Sequence, residues 1–235
     1  MSIAVSEAVG STGWEGGNGN VSGFSDTLSV GSGADFVVIR VLFRGSGVTL
    51  TAATYNSGSG DTSMTVVQED LDAGGLFQLW FLSFPCDAGD GDYDIDLSFS
   101  STNRAAWRPE SYTTGDDYDF ETGFLSDGTS AETSDLTVTG MASGDYAIDQ
   151  IAINNPTAAS LTEDGADSTE DFNAQEGPLF FGGAHATNIT SSAFGWSWTT
   201  NRAWGHSAIN IVEVAGGGGT PIPVFRQHYE NMARH

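Results

Sequence analysis

The chain has 235 residues with 31 acidic side chains against 7 Arg and no Lys, a formal net charge of -24. That field repels a phosphate backbone and an anionic membrane surface, so neither nucleic acid nor membrane is an expected partner. With 39% hydrophobic residues, 14 Phe and 6 Trp the chain can bury a substantial core, and 31 Gly with many Ser and Thr favour short strands joined by turns.

The single Cys86 excludes an intramolecular disulfide and a Cys-based metal cluster. No apolar run approaches the length of a membrane-spanning helix. The opening MSIAVSEAVGSTGW has neither a basic n-region nor an apolar h-region, so export is expected by lysis or within an assembled particle.

Residues 1–23 read as a polar N-terminal arm, and Phe24, Thr27, Ser29 and Val30 as an edge strand. Phe36–Phe43 is apolar throughout except for Arg40, the pattern of a strand buried on both faces. Arg40 is expected at a sheet margin or paired with a carboxylate. Val48–Tyr55, Met64–Val67 and Phe77–Phe84 follow as strands, with a turn at Asn56–Asp61. In Asp94–Trp107, acids alternate with Ile95, Leu97 and Phe99, which places the acids in water. Pro109–Ser134 is rich in acids interleaved with Tyr112, Tyr118, Phe120 and Phe124. It reads as a long connection that its aromatic residues anchor.

The second half echoes the first. Ala34–Ile39 resembles Gly144–Asp149, and DIDLSFSSTNRAAW (Asp94–Trp107) resembles AFGWSWTTNRAW (Ala193–Trp204). Each copy of that phrase reads as strand, tight turn at Thr-Asn-Arg, strand. The echo implies a duplication of units of about 75 residues. The expected fold is all-β: a jelly-roll-like β-sandwich over 24–215, with internally similar halves at about 34–114 and 144–214. Two side-by-side sandwiches are the alternative.

After the glycine hinge that begins at Gly216, residues to His235 form a locally basic tail. Phe225, Tyr229 and Met232 fall on one face of a short helix, with Arg226 and Arg234 beside them. These five residues are the candidate partner-binding set, a docking peptide that orders on a neighbour.

Catalytic chemistry finds no such support. Asp90–Asp96 alternates carboxylates like a calcium loop, but Ile95 and Ser101 stand where the EF-hand needs Gly and Glu. The loop Glu163–Asp167 is a weaker case of the same kind. There is no GxSxG, HExxH or Walker motif, and acids are too common for a glycosidase pair to stand out. His206 reads as a core or rim histidine, and most Trp as core rather than sugar-stacking platforms. No catalytic residue, metal site or cofactor is assigned.

The stretches ADFVVIRVLF, VTLTAATYN, FQLWFLSFPCDAGDGDYDIDLSFS and AFGWSWTTNRAWGHSAINIVEV together resemble a β-sandwich family of marine phage virion proteins and bacterial surface proteins. The likeness covers residues 20–215, and its motifs are architectural, so no catalytic residue carries over. It implies a virion component: a non-enzymatic structural protein of a tailed phage, first as capsid decoration or cement attached through its termini. A tail-tip, fibre or head-spike component, or a carbohydrate-binding surface module, is the alternative. Implied partners are the major capsid protein or tail proteins, copies of the chain itself in a homo-oligomer such as a trimer, and, on the alternative, a host-surface glycan.

Overall fold

The computed structural model describes residues 3–7, 20–31, 33–71, 75–86, 91–114, 117–154, 161–176, 179–187 and 190–214. Among them every regular element is a β-strand, and every strand pairing is antiparallel. The fold is all-β, two similar sandwich units packed on each other.

The first unit comprises β1 (Ala4–Glu7), β2 (Val21–Val30), β3 (Phe36–Arg44), β4 (Leu50–Asn56), β5 (Thr62–Ser63), β6 (Thr65–Leu71), β7 (Phe77–Pro85), β8 (Gly91–Asn103) and β9 (Ala105–Thr113). It makes a five-stranded sheet in the order β1-β9-β3-β7-β6 and a four-stranded sheet in the order β2-β8-β4-β5. The second unit comprises β10 (Asp117–Thr139), β11 (Tyr146–Asn154), β12 (Thr162–Glu163), β13 (Thr169–Glu176), β14 (Leu179–Thr187) and β15 (Ser191–Val214). Its sheet runs β10-β15-β11-β14-β13, with β12 also on β15.

The two orders are the same order. β10 and β15 are long enough to serve both layers of their unit. The start of β10 lies on the end of β15 as β1 lies on β9, and the end of β10 lies on the start of β15 as β2 lies on β8. Even the irregularities repeat: β6 bulges at Val67 and β13 at Asp171, each opposite its neighbouring strand. The duplication seen in the sequence is therefore a duplication of strand topology.

Each unit has its own core. Val37, Ile39, Val41, Phe43, Trp80 and Trp107 meet Phe24, Tyr93, Ile95, Leu97 and Phe99 from the four-stranded sheet. In the second unit Ile151, Ile153, Phe180 and Trp204 meet Leu136, Val138, Phe194 and Trp196. The intervening residues face the other way and pack the units on each other. Phe36, Val38, Phe81 and Tyr112 meet Tyr146, Ile148, Ile209 and Ile211, and Leu42, Phe77 and Leu79 meet Ala152, Leu179 and Phe181. This seam explains the unbroken apolar runs. Alternation sends every second residue to each face, and both faces of β3, β7 and β11 are covered.

Several local expectations hold. β2 is an edge strand, and in β8 Tyr93, Ile95, Leu97 and Phe99 point inward while Asp92, Asp94 and Asp96 are exposed. Trp80, Trp107, Trp196, Trp198 and Trp204 are all buried. Two expectations change. The acidic stretch is not a connection, because residues 117–139 form β10; its acids face water while Tyr118 stacks on Phe36 with centroids 3.8 Å apart. Period-two alternation of acids and aromatics is a strand signal that the density of charge had masked.

Nor is Thr-Asn-Arg a tight turn. β8 and β9 belong to different sheets, so Asn103-Arg104 is a corner where the chain passes from the outer layer to the seam layer. In the second unit β15 crosses the same corner without interruption. The β-branched threonines suit an extended backbone, and no glycine is present to reverse it. The tryptophans of the two phrases are also offset by two residues. Trp107 lies opposite Val41, whereas Trp204 lies opposite Ile153, the counterpart of Phe43.

Phe36 is fully buried in the seam and stacks on Tyr112 as well as Tyr118. Phe36→Ala should cost about 3–5 kcal/mol, read as a lower urea midpoint.

Candidate functional site

Two buried polar clusters stand out against the apolar layers. The first lies in the seam. Arg40 is the one basic residue in the run Phe36–Phe43 and its side chain is 1% exposed. Its Nη2 donates to Glu110 Oε2 at 2.7 Å and to Asp171 Oδ2 at 2.7 Å. Glu110 comes from β9 in the same unit and Asp171 from the bulge of β13 in the other. The extra residue of the bulge turns both Asp171 and Phe172 toward Arg40. The guanidinium groups of Arg40 and Arg108 lie 5.2 and 5.8 Å from the centre of the Phe172 ring.

Asp171 also bonds His185 Nδ1, and the His185 ring stacks on Tyr146 at 5.2 Å with the planes 10° apart. Tyr112 donates its hydroxyl to Glu110 at 2.8 Å. The cluster is thus a chain of charge running from one unit to the other. Burial drives the Glu110 carboxyl upward, and Arg40 only partly offsets it. Asp171 is held below the usual carboxylate range: burial opposes this, but Arg40 and then His185 outweigh it. The hydrogen bond to Asp171 raises His185 against the pull of burial. Burial would lower Arg40, yet the Glu110 and Asp171 charges hold it well above its ordinary value.

The remaining nitrogens of Arg40, Nε and Nη1, have no hydrogen-bond partner. Nη1 lies beside Gly183, and the guanidinium sits over the Phe172 ring. A Cβ at position 183 would come within 2.3 Å of Nη1 and 2.4 Å of the Phe172 ring. Glycine is required there for close approach.

The second cluster is in the core of the second unit. Asp149 accepts from the backbone N–H of Ala184, from Trp196 Nε1 at 2.7 Å and from His206 Nε2 at 2.8 Å. With Nε2 donating to Asp149, Nδ1 of His206 accepts from the Ser134 hydroxyl at 2.8 Å. The order Ser-His-Asp is that of a hydrolase relay. Ser134, His206 and Asp149 are however 2%, 2% and 0% exposed, so the hydroxyl faces packed side chains instead of solvent. In the first unit the corresponding positions hold Ile39 and Trp107, both apolar core residues. The relay is a polar pin that fixes the packing of Trp196 and β14.

The five residues singled out in the tail, Phe225, Arg226, Tyr229, Met232 and Arg234, lie outside the described residues. Of the calcium-like stretch, Asp92 and Asp94 accept from Ser29 Oγ and Thr27 Oγ1 across the strand pair, each at 2.7 Å. Glu163 accepts from Gly165 N–H and Ser168 Oγ in its own turn. Among the described residues no group of three or more His, Cys, Asp or Glu is placed to hold a metal ion. The seam cluster escapes sequence reading because Arg40 meets partners 70 and 131 residues away. Its only trace is a charge inside an apolar run. No protein family, no curated protein and no solved structure matches the chain.

Arg40→Ala removes the cation from between the buried Glu110 and Asp171, which keep only Tyr112 and His185 as close partners, and should cost about 3–5 kcal/mol, and Gly183→Ala about 1–3 kcal/mol through overpacking; urea titrations of both variants check this. In the core pin, Asp149→Asn should cost about 1–3 kcal/mol and Ser134→Ala less, because Asp149 serves three donors and Ser134 one contact.

Proposed function

We propose that the chain is a non-enzymatic structural protein of a tailed-phage virion, a capsid decoration or cement protein held by its termini. The observation that carries this reading is how the body uses its apolar surface. The two units bury their apolar faces on each other, and the only large hydrophobic side chains exposed among the described residues are Val66, Leu125 and Val214. A body without a broad apolar patch needs another means of attachment. The tail supplies it in chemistry: Phe225, Tyr229 and Met232 as apolar anchors, Arg226 and Arg234 to pair with partner carboxylates. The sequence resemblance to phage virion proteins points the same way. The exposed acids keep such a body soluble at high copy number.

The glycan-binding alternative draws less support from the body, because each described Trp is buried and stacking on a sugar ring needs an exposed aromatic face.

Removing residues 220–235 should abolish incorporation into particles while leaving the thermal transition of the body unchanged. Quantitative mass spectrometry of purified particles gives the position. A copy number near that of the major capsid protein supports decoration. A few to a few dozen copies would move the protein to a tail tip, fibre or spike. Absence from particles, or normal incorporation without the tail, would overturn the respective assignment.

A further inference from the structure

β1 belongs to the first unit by its pairing and to the second by the residue that leads into it. Ala4 lies opposite Thr113 and Val5 opposite Tyr112 on β9. One residue earlier, the Ile3 N–H donates to the carbonyl of Gly144 in the second unit at 3.2 Å. Ile3 is 4% exposed and sits in the apolar cluster that joins Phe36 and Tyr112 of the first unit to Tyr146 of the second. Aromatic rings meet across the seam at this end, Tyr118 on Phe36 and Tyr146 against Tyr112 at 5.6 Å.

The acceptor is set in place before β1 arrives. Gly144 stands in the turn between β10 and β11 with a φ of 109°, a conformation that favours glycine. The turn is closed by the Asp145 N–H on the Ala142 carbonyl at 3.2 Å, and by the Ala142 N–H, which donates to Asp145 Oδ2 at 2.7 Å. Asn210 Nδ2 on β15 donates to the same oxygen at 3.2 Å and ties the turn to the second unit's sheet.

The counterpart of β1 in the second unit is not separable in this way. Asp117–Glu121 lies on the end of β15 and runs on as the same strand into the outer layer. In the first unit residues 8–20 stand between β1 and β2, so β1 can part from β9 without disturbing β2. β1 is short, lies at the edge of its sheet and shifts register between Val5 and Glu7. An edge element with so short a ladder opens at a lower free energy than the core strands.

We propose that β1 is a latch across the seam: it pairs with the first unit but is held shut by the second, so it closes only on a joined pair of sandwiches and ties them at the aromatic end. The other polar contacts of the seam, Arg40 on Asp171 and Gln68 on the Ala208 carbonyl, do not use β1, so the units can meet before the latch closes. Coupling of this kind is reciprocal. Whatever displaces the Gly144 carbonyl loosens β1 on β9, and whatever fixes β1 on β9 strengthens its hold on the turn.

The test is amide hydrogen exchange of the full chain, read by NMR in increasing low concentrations of urea. The amides of Ile3 and β1 should be protected, with a shallow urea dependence, while those of β3 exchange only by global unfolding with a steep one. Ile3→Ala empties the apolar slot and should speed exchange along β1 by about thirtyfold or more. Gly144→Ala acts in the other unit, yet it should speed exchange along β1 by roughly fivefold, the worth of one hydrogen bond. A disulfide between Ala4→Cys and Thr113→Cys, opposite each other in register, fixes β1 on β9 in a Cys86→Ser chain and should abolish the effect of Gly144→Ala on β1. Unprotected β1 amides, or β1 amides that share the free energy and urea slope of β3, would show that there is no latch. If Gly144→Ala leaves β1 unchanged, β9 alone holds the strand and the proposal is wrong. None of these outcomes depends on particle incorporation.

Discussion

Burial of one sheet of each unit on both faces is the constraint on which the rest of this structure depends. Once β3 and β11 lie in the middle of the stack, every residue along them must be either apolar or anchored by a polar partner, because water reaches neither face. Arg40 meets that demand with Glu110, Asp171 and the Phe172 ring. Asp149 meets it with Trp196, His206 and the Ala184 amide. Gln150, the counterpart of Arg40, meets it by donating to the Trp80 carbonyl across the seam at 3.1 Å. Each polar residue in the inner strands thus brings a partner from a distant strand, and the partners lock the layers in register.

The two units share a topology but not a chemistry, and the differences fall where they meet. The bulge of β6 presents Val67 and Gln68, and the equivalent bulge of β13 presents Asp171 and Phe172. Phe81 stands opposite Gln68, whereas Gly183 stands opposite Phe172. Bulk on one strand is matched by its absence on the neighbour, as a core at crystal-like density requires. A pseudo-symmetric interface built this way accepts only the right partner. Arg40 finds its second carboxylate on β13, and the first unit's own bulge offers Val67 in that place. The asymmetry therefore favours this pairing of unlike units over pairing of like ones.

Outside the stack the chemistry is uniform. Asp92, Asp94 and Asp96 line the outer face of β8 beside Ser29 and Thr27. Acids likewise occupy the exposed positions of the edge strand β10, which also carries bulges along its length. Charge and bulges on an edge discourage strand-to-strand association with other chains. The β10 edge is thus guarded against non-specific β-pairing.

The all-β class, the duplication and the direction of most side chains are legible in the order of the residues alone. Strand period is local: Asp94, Asp96 and Ser98 against Ile95, Leu97 and Phe99 declares its inner face without reference to any other strand. The apolar run Phe36–Phe43 likewise declared burial on both faces. What covers the second face was decided by tertiary structure alone, because apolar residues carry no label for the layer they will meet. The same limit hid the polar cluster in the seam. Arg40 stands out as a charge in an apolar run, but Glu110, Asp171 and His185 do not stand out one by one in a chain with 31 acids. Only the stacking of two sandwiches, and a bulge that turns Asp171 inward, brings their charges within hydrogen-bonding distance and gives them a common environment.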